Sequence, residues 1–98
     1  MKIVGGFFME YFVYILYSQS KGRYYVGSTG NLEDRMTRHK QGRSKATKAG
    51  RPWQLVFKKQ FQDRSSAYQY EMYIKKQKSS RYIEQLICGP ENEQSSVV

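Results

Sequence analysis

Ninety-eight residues make one domain's worth of chain, too little for two independent cores. Apolar residues at 39% and charged residues at 26% exclude a disordered chain. Seventeen Lys and Arg against eight Asp and Glu leave a net charge of +9, which points to a polyanionic partner, nucleic acid foremost.

The chain opens on an apolar run, Ile3 to Phe8, far short of the roughly 20 residues that span a bilayer. No small-residue cleavage site follows it, so no membrane association is expected, and residues 1–9 read as an extension ahead of the fold. Tyr11 to Tyr17 is aromatic and β-branched throughout, which predicts a strand covered on both faces. Ser18 to Gly22 has turn chemistry, and Arg23 to Gly27 is a second strand, antiparallel to the first. Asn31 is suited to cap a helix over about Leu32 to Gln41, with Glu33 and Asp34 in its first turn and Gly42 as its stop. Arg43 to Arg51 is polar and basic without periodicity, hence a loop. Trp53, Leu55 and Phe57 alternate along a third strand, about Trp53 to Gln60. Asp63 or Ser65 caps a helix over about Ser66 to Gln77. Ser79 or Ser80 caps a last one, buried through Ile83, Leu86 and Ile87. Cys88 is the only cysteine, so neither an intrachain disulfide nor a cysteine-based zinc site forms, as suits a reducing cytoplasm. Gly89-Pro90 ends the helix, and residues 89–98 are expected to be a flexible polar tail. The order β-β-α-β-α-α over residues 10–88 predicts an α+β domain, a small three-stranded antiparallel sheet flanked by helices.

Several side chains stand out against that frame. Ala67, Tyr70 and Ile74 form the inward stripe of the fourth element, and Glu71 lies on it. A partly desolvated carboxylate needs a partner, either a Lys or Arg or a metal ion. Arg35 and His39 are one helical turn apart on the first helix. They are a phosphate-contacting pair or, for His39, an ordinary surface position, since Leu32 and Met36 are the better core candidates. Tyr14 and Tyr25 lie on paired strands, where a Tyr is packing unless nearby positive charge makes its oxygen more basic. No acid occurs between Asp34 and Asp63, and Arg35, Arg38, Lys40, Arg43, Lys45, Lys48 and Arg51 fall in that interval. Such a run is either a solvated face or a track for a nucleic-acid backbone.

Taken together, these residues resemble the GIY-YIG nuclease domain, in its small single-domain bacterial form related to the N-terminal nuclease domain of bacterial excinuclease. Val13-Tyr14-Ile15 stands at the first motif and Tyr25-Val26-Gly27 at the second, nine residues apart. Ser28-Thr29, Asn31-Leu32, Arg35, His39, Glu71 and Lys75-Lys76 follow in order. Val13 replaces the Gly of the first motif, Val26 replaces an Ile, and the late Asn of larger relatives is not assigned. The resemblance implies a metal-dependent endonuclease hydrolysing DNA phosphodiester bonds, with a place in repair or recombination. Glu71 would hold a single Mg²⁺ or Mn²⁺, Tyr25 would be the general base, and Tyr14 would orient the attacking water. Arg35 would stabilise the phosphate, His39 would tune Tyr25, and Lys75 would join the basic residues on the nucleic-acid backbone. No small-molecule cofactor is implied, and the expected state is a cytoplasmic monomer or weak homodimer. A basic nucleic-acid-binding module of the same fold without catalysis is the alternative.

Overall fold

Strand β1 (Tyr11–Ser18) is the middle strand of a three-stranded antiparallel sheet, with β2 (Arg23–Thr29) on one side and β3 (Trp53–Phe61) on the other. The computed structural model describes residues 10–94, so the expected extension lies outside the described residues. Helices α1 (Leu32–Gln41), α2 (Arg64–Gln77) and α3 (Ser80–Cys88) complete the order β-β-α-β-α-α. This is the α+β architecture that the sequence pattern predicts.

Both faces of β1 are covered. Val13, Tyr14, Ile15 and Leu16 are all fully buried. Val13 and Ile15 join Val26, Phe57, Ala67 and Ile74 in the main core beneath α2, with Ile83, Leu86 and Ile87 of α3 packed at its margin. By strand alternation Tyr14, Leu16 and Ser18 face the other way. There Tyr14 meets His39 of α1, and the Ser18 hydroxyl donates to the Gly50 carbonyl at 2.7 Å. The loop over residues 43–51 is therefore part of the second layer, and a short 3₁₀ turn at Lys48–Gly50 shapes it.

Side-chain caps set the helix starts as expected. Asn31 accepts from the Asp34 amide, Asp63 from Ser66, and Ser79 from Tyr82. With Asp63 as cap, α2 begins at Arg64, two residues before the expected Ser66. Gly42, at φ 77°, ends α1 in the left-handed conformation.

Two features depart from the sequence pattern. Ile15 pairs with Phe57 but Leu16 pairs with Leu55, so Val56 is a bulge. The bulge lets Leu55 face the α1 side with Leu16 while Phe57 enters the core under α2. The alternation of Trp53, Leu55 and Phe57 thus crosses from one face to the other. Residues 91–93, expected to be flexible, instead dock along the outer edge of β3. The Asn92 amide donates to Val56 O at 3.0 Å and to Ile87 O at 2.9 Å, while its oxygen accepts from the Lys58 amide at 3.3 Å. The Glu93 amide donates to Lys58 O at 2.8 Å, the Glu93 carboxylate accepts from the Gln60 amide, and Glu91 accepts from the Tyr70 hydroxyl. Backbone groups at a bulge and on an edge strand lack ladder partners, and this polar segment supplies them. Ser95 to Val98 lie outside the described residues.

Candidate active site

The register of the β1–β2 hairpin places the two tyrosines. Tyr14 lies opposite Gly27 and Leu16 opposite Tyr25, so Tyr14 and Tyr25 share the face turned to α1, with ring centroids 6.4 Å apart. The Tyr14 hydroxyl lies directly over Gly27. A Cβ at that position would stand 2.7 Å from the phenolic oxygen, closer than side chains tolerate. Gly27 is what the close approach requires.

Helix α1 brings His39 onto the same spot. Its side chain is 1% exposed, so it is not the ordinary surface position. Nε2 is 2.9 Å from the Tyr14 hydroxyl, Nδ1 is 2.7 Å from Thr47 Oγ1, and the ring stands edge-on to Tyr25 at 5.3 Å between centroids. Both hydroxyls can donate or accept, so the position of the ring proton sets the direction of both bonds at once. Burial, reinforced by the charges of Arg35 and Arg38, lowers the pKa of His39. The imidazole is therefore neutral near pH 7. Burial pushes Tyr14 up to about 12, although the nearby Arg35 guanidinium pulls the other way. Tyr14 keeps its proton at neutral pH. Arg35 Nε is buried without a hydrogen-bond partner, and leaving such a donor unsatisfied costs about 1–3 kcal/mol.

Glu71 comes from the opposite side of β2. It lies on the inward stripe of α2 with Ala67 and Ile74, all three buried. Oε1 accepts from Ser28 Oγ at 2.6 Å, and Oε2 accepts from Lys75 Nζ at 2.6 Å. The ion pair open at the sequence level is thus present, made with the Lys one turn further on. Ser28 follows Gly27, so the carboxylate and the tyrosine pair flank one short stretch of β2. Two of their neighbours, Ser28 beside Glu71 and Arg35 beside Tyr14, line a cleft of about 630 Å³ together with Tyr11, Asp63, Arg64 and Tyr68. The negative charge of Glu71 also contributes to the upward shift of Tyr14.

The basic residues divide into groups. Lys40, Lys48 and Arg51 line a second hollow of about 460 Å³, with His39 and Trp53 on its wall. The Arg51 guanidinium packs against Gly42, and its Nε donates to Lys48 O. Arg38 pairs with Asp34 at 3.5 Å on the surface, an exposed pair of small energetic value. Arg43 and Lys45 belong to the same loop, and both are exposed.

One neighbour of the cluster carries no mark in the sequence pattern. Thr47, fully buried, holds the far side of His39, and its own carbonyl accepts from Trp53 Nε1 at 2.6 Å. Ser28, which stands in the motif series, holds Glu71. Thr47 is a small hydroxyl in a polar loop, and only the folded contacts single it out.

A sheet carrying two buried-face tyrosines against an Arg-x-x-x-His helix, with a carboxylate delivered by the next helix, defines a GIY-YIG-type domain. A sequence profile of the GIY-YIG catalytic domain matches residues 10–83, and the chain belongs to this family. Its relatives include UPF0213 protein plu4503 of Photorhabdus laumondii, 33% identical over 82 residues that make up 83% of this chain and 78% of that one. UPF0213 protein YazA of Bacillus subtilis is 34% identical over 80 residues, 78% of this chain and 80% of that one. The solution NMR structure of UPF0213 protein BH0048 from Bacillus halodurans superimposes with a TM-score of 0.53 at 31% identity, covering 87% of this chain and 89% of that one.

Proposed function

We propose that this protein is a divalent-metal-dependent endonuclease that hydrolyses phosphodiester bonds in DNA. The observation that carries this reading is the contact cluster of Tyr14, Tyr25 and His39, with the Arg35 charge acting on Tyr14 and His39 and Arg35 lining one cleft with Ser28, the hydroxyl that holds Glu71. Among the described residues no three His, Cys, Asp or Glu side chains gather, which rules out a protein-caged site of the zinc type there. One carboxylate with a hydroxyl beside it suits Mg²⁺ or Mn²⁺, which keeps most of its waters and shares phosphate oxygens with the substrate. Glu71 would hold such an ion, and when bound it would supply positive charge to the phosphate and the leaving oxygen.

The chain's own residues then divide the work. Arg35, on the cleft wall, binds the scissile phosphate and gives its unpartnered Nε an acceptor. Tyr25, acting as its phenolate, takes the proton of the attacking water as the water oxygen bonds to phosphorus and the P–O bond to the leaving group breaks, with the electron pair going to the leaving oxygen. Tyr14 keeps its proton and orients the water or its neighbour. His39, neutral and held between two hydroxyls, fixes Tyr14 and the cluster geometry. The basic hollow beside His39 extends the surface that follows the phosphate backbone. A cytoplasmic location and a role in repair or recombination accompany this reading.

One observation favours a second reading. Both oxygens of Glu71 are already engaged, by Ser28 and by the Lys75 ammonium. An ion at Glu71 must displace Lys75 from its pairing; without that exchange the domain is a basic nucleic-acid binder without catalysis. The decisive assay is cleavage of labelled DNA with Mg²⁺ or Mn²⁺. Tyr25→Phe and Glu71→Gln should each reduce the rate by about 10²–10⁴-fold while DNA binding persists. Full activity in both variants, or no cleavage of any DNA form by the wild type, overturns the catalytic reading.

A further inference from the structure

Tyr68, Met72 and Tyr73 are the large apolar side chains left exposed among the described residues, at 55%, 41% and 53%, and all three belong to α2. The core face of that helix is already supplied by Ala67, Glu71 and Ile74. Tyr73 stacks edge-on against Tyr82 of α3 at 6.1 Å, whereas Tyr68 and Met72, one turn apart, are turned outward. Arg64 lies one turn before Tyr68, and Lys75 and Lys76 lie one turn after Met72. From Arg64 to Lys76 this stripe is about 18 Å long at the helical rise. It reads cation, aromatic ring, thioether, cation.

The stripe is continuous with the candidate active site. Tyr68 and Arg64 line the cleft that contains Arg35 and Ser28. Tyr68 also begins a shallower hollow shared with Gln69, Met72, Tyr73 and Lys76. We infer that this face of α2 is a stacking platform for unpaired nucleotides, so that the protein's preferred substrate is a single-stranded segment entering the cleft over Tyr68. The inference builds on the proposed nuclease reading and names its substrate class.

Three physical points select this occupant. A tyrosine ring and a methionine sulfur offer a flat and a polarisable surface to the face of a base, and a duplex hides that face within its stack. The cations at both ends match phosphates spaced along the same strand. A second copy of this chain fits poorly: a two-fold contact through the stripe sets Arg64, Lys75 and Lys76 against their own counterparts on a molecule already carrying +9.

Fluorescence anisotropy in EDTA, which separates binding from cleavage, tests the proposal with the full chain. The ligands are a thymidine oligonucleotide, the same oligonucleotide with abasic sites, and a duplex of equal length. The double variant Tyr68→Ala/Met72→Ala is expected to bind the thymidine strand about 10- to 100-fold more weakly, as the loss of one or two stacked bases implies. Its affinity for the abasic strand and for the duplex should match that of the wild type, and Tyr68→Phe should bind like the wild type. Equal weakening on all three ligands, or no weakening on any, overturns the platform. So does a wild-type dimer in sedimentation that the double variant loses. Cleavage assays with Mg²⁺ keep the two readings apart. Wild-type cleavage indifferent to strandedness and to the double variant would sink the platform and leave the nuclease standing. Single-strand preference without any cleavage would do the reverse.

Discussion

Replacing Thr47 by Val keeps the shape of the side chain and removes only the hydroxyl that meets His39 Nδ1. The ring nitrogen is then left buried without a partner, at a cost of about 1–3 kcal/mol, and the imidazole loses the contact that fixes its tilt against Tyr14. Thr47→Val should therefore unfold at a lower urea concentration than wild type and cleave DNA more slowly, through kcat more than KM, because Thr47 is fully buried behind His39. Thr47→Ser, which restores the hydroxyl, should recover both. An unchanged kcat in a destabilised Thr47→Val would reduce Thr47 to a packing residue. Part of this cluster is legible before folding. Glu71 declares itself by lying on an apolar stripe, and the tyrosine pair by lying on strands that must pair. Thr47 does not, because it stands in a basic loop without period, and its partner is fixed by a contact between two different layers. His39 is an intermediate case: its helix neighbours Leu32 and Met36 look like better core residues, yet the Tyr14 hydroxyl gives the imidazole a buried partner that they could not use.

At the scale of elements, the sheet is built in the order the sequence predicts, and the surprises come where one element borrows from another. A bulge at Val56 is invisible in a run of apolar residues, since Val, Phe and Leu look alike on either face. The docking of residues 91–93 is equally hidden, because Asn and Glu after a Gly-Pro pair have the composition of a loose end. What binds them is the unpaired backbone of β3, more than thirty residues away in the chain. Asn92→Ala removes three hydrogen bonds that tie this segment to β3 and to the end of α3. It should lower unfolding stability by about 1–3 kcal/mol, measured by urea denaturation, while cleavage well below the melting temperature is unaffected. Loss of activity in the folded variant would show that this edge reaches the cleft.

For the whole molecule, the single histidine gives a clean pH readout. Burial and the charges of Arg35 and Arg38 keep His39 below its ordinary 6.5, so the unfolded chain takes up a proton that the folded chain refuses. Stability is then complete above the unfolded value and declines as pH falls through about 6.5 toward the folded value. The melting temperature should drop between about pH 7.5 and about pH 5.5, above the range where carboxylates titrate. His39→Gln should flatten that drop. A slope that survives the substitution would assign it to other groups.

The lacing of residues 91–93 to β3 has a practical consequence for anything joined to the end of this chain. The polypeptide leaves the domain from beside β3, whereas β2, which carries Gly27 and Ser28, forms the other margin of the sheet. A reporter or affinity handle fused at the C-terminus starts its path beside β3, across the sheet from Gly27 and Ser28. One fused so tightly as to peel Asn92 from Val56 would weaken the host before it touched the chemistry.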